Sequence, residues 1–96
     1  MKLNDYYKYY LSLHQNKWNR RLHVLGQLTT LLFAYATIVN WHWYLFPLIP
    51  FVVYPFAWSG HYFFEKNKPA AFSSPIMAKI SDILMFRDWI LGRIAR

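Results

Sequence analysis

The chain has 96 residues, of which 56% are hydrophobic and 22% aromatic; 11 Lys and Arg stand against 4 Asp and Glu for a net charge of +7, and there is no cysteine. That length holds at most one domain, and the missing thiols exclude disulfides, zinc–thiolate and iron–sulfur centres, so a metal here is held by nitrogen and oxygen. The basic residues flank apolar stretches and form no groove-reading motif, which argues against nucleic acid and for anionic lipid headgroups as the partner.

Asn4 opens a predicted first helix over 4–14, whose Tyr6, Tyr7, Tyr9 and Tyr10 suit the water–lipid interface, so this helix is expected to lie on the membrane. Asn16 and Asn19 then interrupt the pattern, and Asn19 is the expected cap of a first crossing over 20–39. The break decides where His14 goes. On one continuous helix the nine residues from His14 to His23, at 100° each, put them on opposite faces, whereas a bend at the asparagines brings them together. The bend is the expectation. Within the crossing, Gly26, Gln27, Thr29, Thr30 and Thr37 are small or polar groups expected to face a partner helix.

Leu22 to Phe64 contains no Lys, Arg, Asp or Glu. These 43 residues would reach roughly 65 Å as helix, about twice the hydrocarbon thickness of a bilayer. Two crossings therefore fit, joined by a turn at Asn40-Trp41-His42-Trp43, with the second over 44–64 and a kink at Pro55. All the cations lie outside this stretch, five before and six after, so the positive-inside rule puts both termini in the cytoplasm. The polar, tyrosine-rich first residues do not read as a cleavable leader. Asn67-Lys68-Pro69 ends the second crossing, and Ser74-Pro75 starts a last helix over 75–94. Its apolar residues recur at helical spacing, but Lys79, Asp82, Asp88 and Arg93 interrupt them, which predicts an interfacial helix rather than a span. The expected fold is an all-α integral membrane helical hairpin of two crossings, flanked by amphipathic interfacial helices and forming one membrane domain over 1–96. Two crossings enclose little interior, which favours a homo-oligomer.

His23 and His61 each lie nineteen residues from His42, so a hairpin returns them to one depth and leaves His42 on the far side. Four residues separate His61 from Glu65, which places both on one helical face. With His14 folded in, three imidazoles and a carboxylate converge, a set suited to a divalent first-row metal such as Fe(II). Two other readings use the same residues: a haem gripped by histidines of facing helices, or a non-enzymatic lipid organiser in which the histidines only pack helices together.

Two segments carry a family resemblance: Asn19-Arg20-Arg21-Leu22-His23-Val24-Leu25-Gly26, preceded by His14, and Gly60-His61-Tyr62-Phe63-Phe64-Glu65-Lys66-Asn67-Lys68-Pro69-Ala70. They resemble the signature segments of the small membrane-protein family of the fungal 2-hydroxy fatty acid dioxygenase. Phe56-Ala57-Trp58-Ser59 and Phe86-Arg87-Asp88-Trp89-Ile90-Leu91-Gly92-Arg93 are similar to its short bacterial branch, which implies a bacterial inner membrane as the location. The resemblance implies an Fe(II)- and oxygen-dependent dioxygenase that shortens 2-hydroxy fatty acids by one carbon, with fatty-acyl substrate, membrane lipids and molecular oxygen as partners. It implies His14, His23 and His61 as metal ligands and Glu65 as a fourth ligand or a carboxylate orienting an imidazole. Arg20 becomes a candidate for pairing with a substrate carboxylate, beside the alternatives of a headgroup contact or a pair with Glu65. Ala57 departs from the pattern, standing where the fungal members tend to have glutamine.

Overall fold

The computed structural model describes residues 2–96, and every regular element among them is helical. Helix α1 runs Leu3–Ser12, α2 Lys17–Val39, α3 Tyr54–Gly60 and α4 Pro75–Ile90. A 3-10 segment over Trp43–Phe51 precedes α3, a π turn over His61–Glu65 continues it, and a 3-10 turn over Ala70–Phe72 leads to α4.

The chain bends between α1 and α2, but the cap is Asn16 rather than Asn19. The Asn16 side chain accepts from the backbone N–H of Trp18 at 2.8 Å and of Asn19 at 3.4 Å. It thereby satisfies donors that the helix start leaves orphaned. Asn19, now inside the first turn, points inward and is fully buried. Likewise α1 starts ahead of Asn4, at Leu3, without a side-chain cap. Helix α2 has 23 residues, about 35 Å of axial length, and among the described residues it is the one helix long and apolar enough to cross a membrane. It ends where the turn was expected. Trp41 adopts a left-handed φ of 55°, and the His42 N–H closes the helix end on the Thr37 carbonyl at 2.8 Å, as a left-handed residue after a helix allows.

The return arm corrects the expectation of a second continuous crossing over 44–64. Pro47 and Pro50 remove amide donors that an α-helix needs, and the chain winds through Trp43–Phe51 as a 3-10 segment. Pro55 then sits in the first turn of α3, where its missing N–H costs nothing, instead of kinking a helix. The segmented arm still lies closely along α2. A Cβ added at Gly26 would stand 2.9 Å from Val53 Cγ2 and 3.0 Å from Phe56 Cβ, so only glycine permits this approach.

Helix α4 packs on α1 and α2. Its polar residues Ser81, Asp82 and Asp88 turn inward beside Ala78 and Met85, while Ile76, Ile83 and Ile90 face out, Ile76 at 75% exposure. Helix α2 is built the same way: Asn19, Arg20, His23 and Gln27 are buried, while Leu31, Leu32 and Ile38 are exposed. The tyrosines of α1 divide. Tyr6 and Tyr10 join Ala70, Ala78 and Met85 in a small core, Tyr9 is exposed, and Tyr7 donates to Asp88 Oδ2 at 2.6 Å, fastening α1 to α4. Burial alone would raise the Asp88 carboxyl, but hydrogen bonds from Tyr7 and Arg87 and the charges of Arg87 and Arg93 outweigh it and hold its pKa below the ordinary value, since each favours the ionised form.

Candidate metal centre

Three elements deliver three imidazoles to one point. His14 lies in the link after α1, where its N–H bonds the Leu11 carbonyl at 3.1 Å, and Arg20 Nε draws the link onto α2 through the His14 carbonyl at 2.5 Å. His23 projects from α2 one turn further on, and His61 follows Gly60 at the junction of α3 and the π turn. The bend at Asn16 and the close return of the arm bring the ring centroids of His14 and His23 to 4.6 Å, of His14 and His61 to 4.4 Å, and of His23 and His61 to 5.3 Å. All three residues are buried, and one potential ligand atom from each lies within 4.8 Å of the others.

Their outer nitrogens are all engaged. His14 Nδ1 meets the Tyr10 carbonyl at 2.6 Å, His23 Nδ1 meets Asp82 Oδ1 at 2.8 Å, and His61 Nδ1 meets Asn67 Oδ1 at 2.6 Å. Asn67 has its orientation fixed because its Nδ2 donates to the Leu13 carbonyl at 3.0 Å. Each contact is an oxygen acceptor, so each Nδ1 carries the hydrogen, which leaves Nε2 as the ligand atom of a neutral ring. Nε2 of His14 and of His23 is buried without a hydrogen-bond partner among the described residues. Burial first, then the neighbouring His23 and His61, push His14 down to about 2, which keeps its ring neutral.

Three imidazoles with tethered outer nitrogens, gathered at one buried point, fit a divalent cation. Without one, each orphaned acceptor would cost about 1–3 kcal/mol; a metal satisfies all of them at once, and the outer acceptors hold each ring at its angle.

The other expected site residues lie elsewhere. Glu65 stands outside the group: its Oε1 accepts from the Asn16 backbone N–H and from Asn19 Nδ2 at 3.4 Å, tying the end of the return arm to the start of α2. Arg20 pairs with no carboxylate among the described residues and instead donates to the His14 carbonyl and, from Nη1, to the Ala95 carbonyl at 3.2 Å. His42 is exposed at the far turn. Asp82 and Asn67 complete the centre although sequence reasoning gave them other duties, a surface charge and a helix terminator. Asp82 also accepts from Gln27 Nε2 at 2.9 Å. The signal for Asp82 was there to read, since a carboxylate that interrupts an apolar helical pattern needs a buried partner if that face packs inward.

Beside His23 and His61 lies a cavity of about 20 Å³, lined also by Tyr10, Ala57, Lys79 and Asp82. It has room for a water-sized molecule. Burial lowers the pKa of the Lys79 ammonium, an effect that Asp82 opposes.

Neither functionally characterised proteins nor solved structures give a match to this chain. Residues 1–94, which carry all three histidines, Asp82 and Asn67, match the family described as 2-hydroxy-palmitic acid dioxygenase Mpo1-like. The chain therefore belongs to the Mpo1-like family of 2-hydroxy-palmitic acid dioxygenases.

Proposed function

We propose that this protein is a membrane-embedded, Fe(II)- and oxygen-dependent dioxygenase that shortens 2-hydroxy fatty acids by one carbon. The observation that carries the proposal is the convergence of His14, His23 and His61 with every Nδ1 already engaged by an acceptor. These three residues are the metal ligands. When bound by them, Fe(II) would supply the redox chemistry with oxygen that a carbon–carbon cleavage requires.

The chain's own residues do the rest. Asp82, Asn67 and the Tyr10 carbonyl hold the three rings in orientation, and Arg20 holds the link that carries His14. Glu65 acts at one remove, keeping Asn16 and Asn19, and with them the start of α2, against the return arm. Tyr10 stacks on His14 with ring centroids 4.0 Å apart and closes that side to water. The outward aliphatic residues of α2 and α4 support a lipid environment, and the flanking cations support both termini on the cytoplasmic side. A substrate tail then stays in an apolar medium while its head reaches the metal.

Anaerobic elemental analysis of the purified protein tests this reading, wild type beside His23→Ala and His61→Ala, followed by oxygen consumption with 2-hydroxyhexadecanoic acid. Near-stoichiometric iron and turnover are expected in the wild type and neither in the variants. Retention of both iron and turnover by both variants would sink the site.

A further inference from the structure

Arg20, the cation expected to meet a substrate carboxylate, is occupied by two backbone carbonyls. Lys79 is placed differently. It lines the small cavity with His23, His61 and Asp82, and it also lines an apolar groove of about 410 Å³ walled by Leu31, Ile49, Pro50, Ile83 and Phe86. A second link joins the two spaces, because Gln27 lines the groove while donating to Asp82, whose other oxygen holds His23. The polar end of the groove thus backs onto the metal centre. Lys79 Nζ donates to the Pro50 carbonyl at 2.8 Å and sits 5.4 Å from the centroid of the Tyr54 ring. That carbonyl uses one of its three N–H donors and steadies the ammonium at the junction.

The geometry points to Lys79 as the residue that receives the carboxylate of a single-chain fatty acid, with the alkyl tail lying in the groove between α2, α4 and the 3-10 segment. This rests on the function proposed above and adds to it the entry face and the group that recognises the head. The groove has the volume of small-molecule sites, its walls are mostly apolar, and its one cation is also the cation that lines the cavity beside His23 and His61. It opens among the exposed side chains of Leu31 and Ile83, so a tail can enter from lipid without crossing water. A second groove of about 450 Å³, between Trp58, Tyr62, Phe63 and Phe72, also borders the cavity, but its cation Lys68 is exposed and does not line the cavity.

Equilibrium binding to the full-length protein in nanodiscs, without added metal, provides the test, with hexadecanoic acid, 2-hydroxyhexadecanoic acid and their methyl esters as ligands. The wild type should prefer acid over ester. Lys79→Met should weaken acid binding about tenfold or more, as expected for losing a charged hydrogen bond, with ester binding unchanged, and Lys79→Arg should restore most of it. Ile83→Trp, which fills the groove, should flatten the affinity difference between short and long acids while keeping the preference for acid. The proposal is overturned if the wild type does not discriminate, if the preference survives Lys79→Met, or if it is lost in Lys68→Met instead. Should Lys79→Met not fold, an unchanged chain-length dependence in Ile83→Trp overturns it equally. Because metal and turnover are not read, a protein that shows the preference but holds no iron would refute the dioxygenase and leave Lys79 standing.

Discussion

Replacing Asp82 with alanine should loosen the metal centre without removing a ligand. The carboxylate accepts from His23 Nδ1 at 2.8 Å, and the two side chains are only 3% and 7% exposed, so water does not take its place. Two buried donors, His23 Nδ1–H and Gln27 Nε2–H, lose their acceptor together. Each would cost about 1–3 kcal/mol if left in position, and the imidazole escapes that cost only by turning, which withdraws Nε2 from His14 and His61. Loss of such an outer partner typically lowers metal affinity about 10- to 100-fold, or about 1.4–2.8 kcal/mol. Asp82→Asn retains an acceptor for His23 and should lose less. Anaerobic titration of Fe(II) against a chromophoric chelator measures the effect, and Glu65→Gln is the internal contrast. The Glu65 carboxylate contacts Asn16 and Asn19 rather than a histidine, so metal affinity should stay near wild type while thermal stability falls. Wild-type affinity in Asp82→Ala, or metal loss confined to Glu65→Gln, would refute the reasoning.

Gly60→Ala would place its new methyl 2.9 Å from Asn19 Cγ and 3.3 Å from the Asn19 backbone Cα, where little can yield. Overpacking of that kind should destabilise the fold by about 1–3 kcal/mol; an unchanged unfolding midpoint in detergent would count against the packing described. Acid should destabilise the metal-free protein, since His14 has a folded pKa of about 2 against an ordinary 6.5, so unfolded chains take up a proton below that ordinary value that folded chains do not. This contribution is complete above about pH 6.5 and is lost at about 1.4 kcal/mol per unit as pH falls, roughly 2 kcal/mol by about pH 5. Denaturation followed by tryptophan fluorescence should show the loss, and equal stability at about pH 7.5 and about pH 5 would contradict it.

Much of the centre was legible because helical periodicity and charge exclusion act locally. The bend that frees His14, the turn at Asn40 and Trp41, the start of α4 at Ser74-Pro75 and the return of His61 to the level of His23 all follow from short-range rules. The cap was misassigned because Asn16 and Asn19 offer the same chemistry three residues apart, and only the return arm, pressing Gly60 and Glu65 onto Asn19, decides between them. Three prolines marked the return arm as irregular, yet a single kink and a 3-10 segment followed by a short α-helix satisfy the same local rules. The role of α4 was hidden for a different reason. Its charges were judged against water, where charge faces out, whereas Asp82 reaches a histidine 59 residues away and Asp88 a tyrosine 81 residues away. No periodicity within α4 contains that information.

The inward polar and outward aliphatic faces of α2 and α4 also reverse where this protein can tolerate change. In a water-soluble enzyme of this length, surface positions drift freely and a hydrophobic interior sets the limits, so stability and catalysis can be altered at separate places. Here the interior sets His14, Asn19, Arg20, His23, His61, Ser81 and Asp82 beside a small apolar core, and the outer positions of Leu32, Ile38 and Ile76 ask only for an apolar side chain. Exchanging those outer residues among Leu, Ile, Val and Phe should be nearly silent, while a substitution among the buried polar residues should disturb the histidine group. A laboratory seeking a sturdier variant would have to work from the outside, and one seeking a new reaction would have to accept a less stable protein.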